Sequence, residues 1–410
     1  MYSFFTTVLK RLIVFLAVLL CWLRISGAAE FTPELLEKKS LVCREVLKTK
    51  PVHYYTFRGA VVAKEIVLCA YSLSTDRVET VSIKSGISGN QATLAFNVLT
   101  PGYRIERVRG QGITHFYFKI SGRGGEELIL LDGRHLDLET KKSLFYFPFD
   151  NIFLSKKSAS RGYRFLLDVI TFAQNEICAL GVKSRAYPGS MLCELFNDRF
   201  IATLIFIEQA DDGEFFNKCP ALESLPLAEN RVYANCPEYA IFKTLTHIDR
   251  NREKAYSAVA SRKGARGITQ FMNTKQYPTY GETVRDYPEA NLIPDYRIGS
   301  SEMRNAVKAT ICYLDKILRR LPQSAREEFR DDFIFGGLFL ITGYNGGPEK
   351  AKSLYHAFHG LSKNNWKALE ISEFKPGKTV RRETAGYIEK YLFSWPVIEK
   401  LDRWLSEGQY

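Results

Sequence analysis

The sequence predicts a chain of two domains, an antiparallel β domain followed by an α-helical domain. Two observations support this division. Between residues 30 and 150, short runs rich in Val, Ile, Tyr and Phe alternate with turn-forming residues, whereas between residues 158 and 405 apolar residues recur with a helical period. A length of 410 residues is sufficient for two or three domains, so both can have a core of their own.

Residues 1–29 precede the β domain and have the features of a signal peptide. Lys10 and Arg11 form a basic start, and residues 12–23 form a short apolar run. Residues 26–29 have the small side chains that are typical of a signal-peptide cleavage site. A run of about twelve apolar residues is too short to span a bilayer comfortably, and an uncleaved anchor is the alternative. We therefore expect an exported protein of the periplasm or the extracellular cell-wall space.

Residues 30–150 carry the pattern of β-strands. Strands are predicted at residues 52–57, 65–71, 77–83, 91–98, 115–120 and 127–131. Glycine, proline and asparagine separate the runs, and short strands at this spacing are typical of an antiparallel sandwich or barrel. The region contains no catalytic constellation. Docking, wall binding or positioning of the second domain is its expected role.

The second domain, residues 158–405, has the pattern of amphipathic helices. Helices are predicted at residues 163–180, 199–209, 300–321, 331–342 and 382–401, with a turn at 344–347. Residues 258–272 interrupt this pattern because Gly264 and Gly267 make a regular helix costly. That stretch predicts a tight loop entering a short strand or turn, which holds the amide of Gln270 near a cleft.

The cysteines indicate disulfides, because an exported chain folds in an oxidising compartment. Neighbours in the sequence suggest the pairs Cys43–Cys69, Cys178–Cys193 and Cys219–Cys236, although sequence alone does not fix connectivity. Cys312 is left over on an apolar helix, and we expect a buried thiol there. No spacing of cysteine or histidine indicates a metal site.

The chain without its signal peptide remains basic. Loss of Lys10, Arg11 and Arg24 with residues 1–29 lowers the formal charge from +12 to +9. Such a surface fits anionic wall polymers or a membrane surface, whereas export argues against nucleic acid as a partner. The alternative is a set of solvated lysines without a specific partner.

Three segments, taken in order, resemble motifs of lytic transglycosylases. They are Gly264-Ala265-Arg266-Gly267 continuing into Ile268-Thr269-Gln270, then Gly343-Tyr344-Asn345, then Glu383-Thr384-Ala385-Gly386-Tyr387. Thr269 and Gly343 depart from the usual methionine and alanine. The resemblance covers about residues 190–400 and implies an α-helical, lysozyme-like (goose-type) domain with a groove for peptidoglycan glycan strands.

The resemblance also implies a reaction that needs neither a metal nor another cofactor. A single glutamate protonates the glycosidic oxygen of the β-1,4 bond between N-acetylmuramic acid and N-acetylglucosamine. As a carboxylate it then accepts the proton of the muramyl 6-hydroxyl, whose oxygen attacks the anomeric carbon and closes a 1,6-anhydro ring. One carboxyl group serves first as acid and then as base, which requires a raised pKa and apolar surroundings.

Two glutamates are candidates for this acid. Glu208 ends the apolar run at residues 200–207, but it lies about 50 residues before the glycine loop and so requires an insertion, which costs little in a surface loop. Glu253 is closer to the family's spacing, but it follows a polar stretch in which Arg250 would lower its pKa. We favour Glu208. The simpler roles are a helix-end salt bridge for Glu208 and a surface position for Glu253.

The resemblance assigns substrate-binding roles to five residues, namely Gln270, Tyr344, Asn345, Glu383 and Tyr387. Gln270 would contact the sugar near the cleaved bond, since an amide both donates and accepts. Tyr344 would orient the acid or the substrate, Asn345 would brace its turn, and Glu383 and Tyr387 would line the groove. The simpler alternatives are a loop cap for Gln270, a core tyrosine for Tyr344 and a helix cap for Glu383.

Two other functions stay open at this point. A hydrolytic muramidase on the same fold would need a second carboxylate across the sugar, for which Asp211 and Asp212 are candidates. A non-catalytic peptidoglycan-binding scaffold would keep the groove without a working acid, because fold alone does not decide activity. The first would give reducing ends and the second no cleavage.

Overall fold

The computed structural model describes residues 32–88, 91–109, 116–137, 142–147, 151–216, 219, 233–257, 259–261, 263–358 and 382–408. The predicted signal peptide lies outside these residues. Within them, the predicted order of an antiparallel β domain and a helical region is confirmed. No helix in this described part of the chain combines the length and the apolar character needed to cross a bilayer.

The first element is a helix that the strand pattern did not predict. Helix α1, Pro33–Thr49, begins where Thr32 Oγ1 accepts a hydrogen bond from the backbone N–H of Leu35 at 3.2 Å. Its buried side chains Leu36, Cys43 and Leu47 pack against the sheet. The helix therefore covers one face of the β domain.

The strands form one antiparallel sheet in the order β4-β3-β2-β7-β6-β5, with β1 paired to β2 and β8 paired to β7. They are β1 Tyr54–Phe57, β2 Ala60–Ser72, β3 Arg77–Ser88, β4 Gln91–Val98, β5 Arg104–Arg109, β6 Phe116–Ser121, β7 Glu127–Leu136 and β8 Ser143–Tyr146. Along β2, Val67 and Cys69 contribute to the core beneath α1, whereas Leu68 and Ala70 contribute to a separate core. This alternation with a period of two gives the sheet two buried faces.

The helical region has one large core. Its helices are α2 Lys156–Ala179, α3 Asp198–Gln209, α4 Asp212–Phe216, α5 Cys236–Asn251, α6 Thr279–Asp286, α7 Tyr296–Ser301, α8 Met303–Arg320, α9 Gln323–Asp331, α10 Phe333–Gly346, α11 Pro348–Phe358 and α12 Arg382–Ser406. The five predicted helices correspond to α2, α3, α8, α10 and α12. The turn predicted at residues 344–347 is wrong in part, because α10 continues to Gly346 and ends where Gly347 adopts φ +88°.

The two regions meet at the C-terminal part of α5. The Oη of Tyr146 and the Nε2 of His247 lie 3.0 Å apart. The side chain of Asn251 binds the backbone of Phe147 twice, accepting from its N–H at 2.8 Å and donating to its carbonyl at 3.0 Å. The guanidinium of Arg250 lies 3.9 Å from the centre of the Phe147 ring. These contacts connect β8 and the following segment to the helical core.

All three predicted disulfides are present. Cys43–Cys69 joins α1 to β2, Cys178–Cys193 joins the end of α2 to the following loop, and Cys219–Cys236 closes a loop before α5. Cys312 is a buried free thiol, as expected. Because disulfides are typical of oxidising compartments, the three bonds are compatible with an exported protein.

Candidate active site

The site is centred on Glu208, the last residue but one of helix α3. The helix starts at Asn197, whose Oδ1 accepts from the N–H of Phe200 at 2.8 Å, and every residue from Phe200 to Ile207 is buried. Glu208 itself is partly exposed. The buried apolar residues therefore fix helix α3 in the core and place the carboxylate of Glu208 at the edge of the core.

Two motif tyrosines approach this carboxylate from different helices. The hydroxyl of Tyr387 on α12 donates to Oε2 of Glu208 at 3.0 Å. Burial raises the pKa of Tyr387 and of Tyr344 on α10 well above the ordinary value, and the negative charge of Glu208 raises both further. Both hydroxyls therefore stay protonated and act as neutral donors. The side chain of Asn345 acts in the opposite direction and lowers the pKa of Tyr387, so residues of the second and third motifs lie together at Glu208.

The glycine loop forms the third side of the site. Isolated bridges pair Ala260 with Arg266 and Arg266 with Phe271, and the described residues of this stretch form no helix, as predicted. Gly267 has φ +74°, and a Cβ at this position would lie 1.7 Å from the carbonyl oxygen of Ser300. Only glycine permits this approach and this backbone conformation. The glycine loop therefore packs closely against the end of helix α7.

Two side chains fix the loop to the elements that carry Glu208 and Tyr344. Gln209, the residue after Glu208, donates through Nε2 to the carbonyls of Gly267 at 3.2 Å and Ile268 at 2.7 Å. The hydroxyl of Tyr344 donates to the carbonyl of Thr269 at 2.8 Å. The glycine loop, the end of α3 and the end of α10 therefore form one connected polar cluster next to Glu208.

Gln270 lies in this loop, but its amide has a local partner. Its backbone has φ +49°, and its Nε2 donates to the carbonyl of Gly267 at 2.7 Å. This hydrogen bond caps the loop, which was the alternative to contact with the sugar for Gln270. Glu383 lies in the first turn of α12, but its side chain is outside the described residues.

Gly343, which precedes Tyr344, replaces the alanine usual in the motif. A Cβ here would lie 2.6 Å from Cγ2 of Ile317 and 3.1 Å from Cβ of Ala351. Glycine therefore allows α10 to lie close to α8 and α11. The substitution alters the packing behind the site and leaves Tyr344 directed at the cluster.

Glu253, the second candidate acid, is not part of this cluster. It lies in a short 3₁₀ turn, Arg252–Lys254, with 48% of its side chain exposed and its nearest cation, Arg304, at 3.8 Å. Helix α5 ends at Asn251, and the polar residues Asp249 and Asn251 are still buried there, whereas the turn that carries Glu253 reaches the surface. Glu253 therefore lies at the surface, which was the alternative to a catalytic role for this residue.

The two aspartates that follow Glu208 have structural partners. Oδ1 of Asp211 accepts from the N–H groups of Gly213 at 2.9 Å and Glu214 at 3.2 Å, which caps the start of α4. Asp212 forms an ion pair of 2.7 Å with Lys390. The sequence did not single out Lys390. Its signal was a lysine one turn after Tyr387, on the same face of the helix.

The insertion between Glu208 and the glycine loop has its own packing. Helix α4 contacts α5 through an ion pair of Glu214 with Lys243, of which only 12% and 4% of the side chains are exposed. The Cys219–Cys236 disulfide closes the connection between the two helices. The described part of this 50-residue separation thus contains two helices, α4 and α5, that pack against each other.

Comparison of the chain with models of known families, with curated proteins and with solved structures finds no match. Within the described residues, no group of three or more His, Cys, Asp or Glu side chains is placed to hold a metal ion. The cluster around Glu208 and the motifs that supply its residues are therefore the features of this chain that bear on its function.

Proposed function

We propose that this protein is an exported peptidoglycan lytic transglycosylase with a lysozyme-like catalytic domain, and that Glu208 is its acid and base. The observation that carries the proposal is the meeting of three separated motifs at one carboxylate. Tyr387 donates to Glu208 directly, Tyr344 holds the glycine loop by its carbonyl at Thr269, and Asn345 lies near enough to Tyr387 to lower the pKa of its hydroxyl. Peptidoglycan glycan strands are the proposed substrate.

The donor on Oε2 suits the first step of the reaction. When Glu208 gives its proton to the glycosidic oxygen, the bond from that oxygen to the anomeric carbon breaks and the leaving sugar takes the proton. Negative charge then develops on the carboxylate, and the Tyr387 hydroxyl at 3.0 Å stabilises that charge. In the second step the carboxylate takes the proton of the muramyl 6-hydroxyl. The oxygen of that hydroxyl forms the new bond to the anomeric carbon at the same time.

The surroundings of Asp211 and Asp212 favour this reaction over hydrolysis. A hydrolase needs a second carboxylate about 5–9 Å from the first, facing it across the sugar. Asp211 caps α4, and Asp212 binds the buried ammonium of Lys390. Neither is therefore placed as an uncommitted nucleophile or base, and we propose anhydro-muramyl ends as the products.

Digestion of purified sacculi tests this proposal. The chain without residues 1–29 is compared with its Glu208→Gln and Glu253→Gln variants, and the released muropeptides are identified by mass spectrometry. We expect 1,6-anhydro-muropeptides from the wild type, and a rate about a hundredfold to ten-thousandfold lower for Glu208→Gln. Glu253→Gln is the matched control, because its side chain is 48% exposed and pairs with Arg304 at 3.8 Å, outside the cluster around Glu208.

Each other outcome points to a different function. Reducing-end products would mean a hydrolytic muramidase. Loss of activity in Glu253→Gln alone would retain the reaction and contradict the assignment of the acid. Binding of wild type to sacculi without any product would mean a non-catalytic scaffold.

A further inference from the structure

The C-terminal end of helix α3 is held by a buried ammonium group. Lys390 of α12 is 3% exposed. Its Nζ donates to the carbonyl of Ile207 at 3.3 Å and to the carbonyl of Ala210, and it forms an ion pair with Oδ1 of Asp212 at 2.7 Å. An ammonium has three N–H donors, and three acceptors surround this one.

These acceptors lie on both sides of the candidate acid. The last carbonyls of a helix have no partner within the helix and need one from elsewhere. Ile207 directly precedes Glu208, and Ala210 follows it by two residues. The ammonium therefore restrains the backbone on both sides of Glu208, at the point where the helix would otherwise fray.

The same helix supplies the donor to the carboxylate. Tyr387 lies three residues before Lys390, so both side chains leave one face of α12. One contacts the carboxylate of Glu208 and the other contacts its flanking backbone. A shift of α12 relative to α3 would break both contacts together.

We propose that Lys390 is a positioning residue that holds Glu208 at the Tyr387 hydroxyl, and that its charge offsets the partial negative charge at the end of α3. A cation near a helix C-terminus opposes the macrodipole there. The effect on rate rests on the proposed transglycosylase activity. The effect on the carboxyl group of Glu208 does not depend on that activity.

The groups that face Glu208 set the direction of the expected change. Tyr344 and Tyr387 are neutral at physiological pH, and Asp212 is paired with Lys390. Removal of the ammonium leaves the end of α3 and Asp212 as uncompensated negative charge. We therefore expect Glu208 to titrate at higher pH without Lys390.

The first test is kinetic, on sacculi, with Lys390→Met, which keeps the apolar stem. A misplaced catalytic group costs on the order of a hundredfold, so we expect kcat to fall about a hundredfold with KM changed less than about twofold. Lys390→Arg, which keeps charge and donors, should recover at least about tenfold of that loss. Lys400→Met is the matched control, since Lys400 lies on the same helix, pairs with Glu238 at 2.9 Å and is placed outside the site.

The second test needs no turnover. Carbon NMR of protein labelled in the glutamate side-chain carboxyl, with Glu208 assigned by its absence in Glu208→Gln, gives the titration midpoint of this group. We expect Lys390→Met to raise the midpoint by about half a pH unit or more, and Lys400→Met to leave it unchanged. Lys390→Gln replaces Lys390→Met if the latter does not fold.

The outcomes separate this inference from the proposed function. If the wild type gives no cleavage products, the proposed transglycosylase activity is refuted. The titration midpoint of Glu208 in wild type and in Lys390→Met then decides the role of Lys390. An active wild type with Lys390→Met indistinguishable from Lys400→Met in kcat and midpoint refutes the positioning role. Equal loss in Lys390→Met and Lys390→Arg, both folded, also refutes it.

Discussion

Removal of a single oxygen atom, in Tyr387→Phe, measures how strongly the tyrosine hydroxyl stabilises the carboxylate of Glu208, the proposed acid. The hydroxyl donates to Oε2 of Glu208 at 3.0 Å, and the ring is anchored by its place in α12. A hydrogen bond to a charged group is worth about 1.5–3 kcal/mol. Since each 1.36 kcal/mol is a factor of ten in rate, kcat/KM should fall about tenfold to 150-fold if the bond forms fully only as the carboxylate becomes charged.

The assay is the initial rate of anhydro-muropeptide release from sacculi, with the unfolding midpoint measured in parallel. Tyr391→Phe is the matched control on the same helix, because its hydroxyl donates to the carbonyl of Phe333 at 3.2 Å, away from the carboxylate. It should lose about 1 kcal/mol of stability and retain its turnover. Turnover of Tyr387→Phe within about twofold of wild type, with Glu208→Gln inactive, would refute the reasoning.

Two further predictions concern stability. Gly267→Ala places a Cβ 1.7 Å from the carbonyl oxygen of Ser300 and should cost at least about 3 kcal/mol in chemical unfolding. Gly59→Ala, at a similar φ of +78° with nothing within 4 Å, isolates the backbone strain and should cost about 1–2 kcal/mol; equal losses would contradict the steric argument. Burial, with the charge of Lys243 as a second cause, lowers the pKa of His247 to about 3 from the ordinary 6.5. In the unfolded chain His247 is therefore protonated below about pH 6.5, whereas in the folded protein it is protonated only below about pH 3. Because the unfolded state binds more protons in this window, the free energy of unfolding decreases as the pH falls through it. Between pH 6.5 and 5 the wild type should lose about 2 kcal/mol more than His247→Gln in urea unfolding; parallel losses in both proteins would show that His247 does not titrate in this way.

Much of the helical region could be predicted because its apolar residues are periodic and its helices have clear limits. Helix α3 was predicted to within a residue, since the apolar run that begins at Phe200 follows a polar segment suited to a helix start. Helix α1 was missed because the surrounding region has strand-like composition. Strands β5 and β8 were missed because Arg104–Arg109 is rich in arginine and Ser143–Tyr146 is short. Their pairing with β6 and β7 outweighs their weak local signal.

The sequence by itself suggested the disulfide pairs that the structure contains, predicted the glycine loop, and favoured Glu208 from the apolar character of the residues before it. It also supplied Tyr344, Asn345 and Tyr387 as motif members. These features are local, because they depend on spacing, backbone freedom and the polarity of neighbouring residues.

Only the tertiary structure decided what each side chain contacts. Glu208 and Tyr387 are far apart in the chain and meet because α3 and α12 pack on a common core. The same packing brings Lys390 to the end of α3 and keeps Gln270 bound to its own loop, whereas Glu253 stays at the surface. A hydrogen bond depends on positions within a few tenths of an ångström, and long-range packing sets those positions.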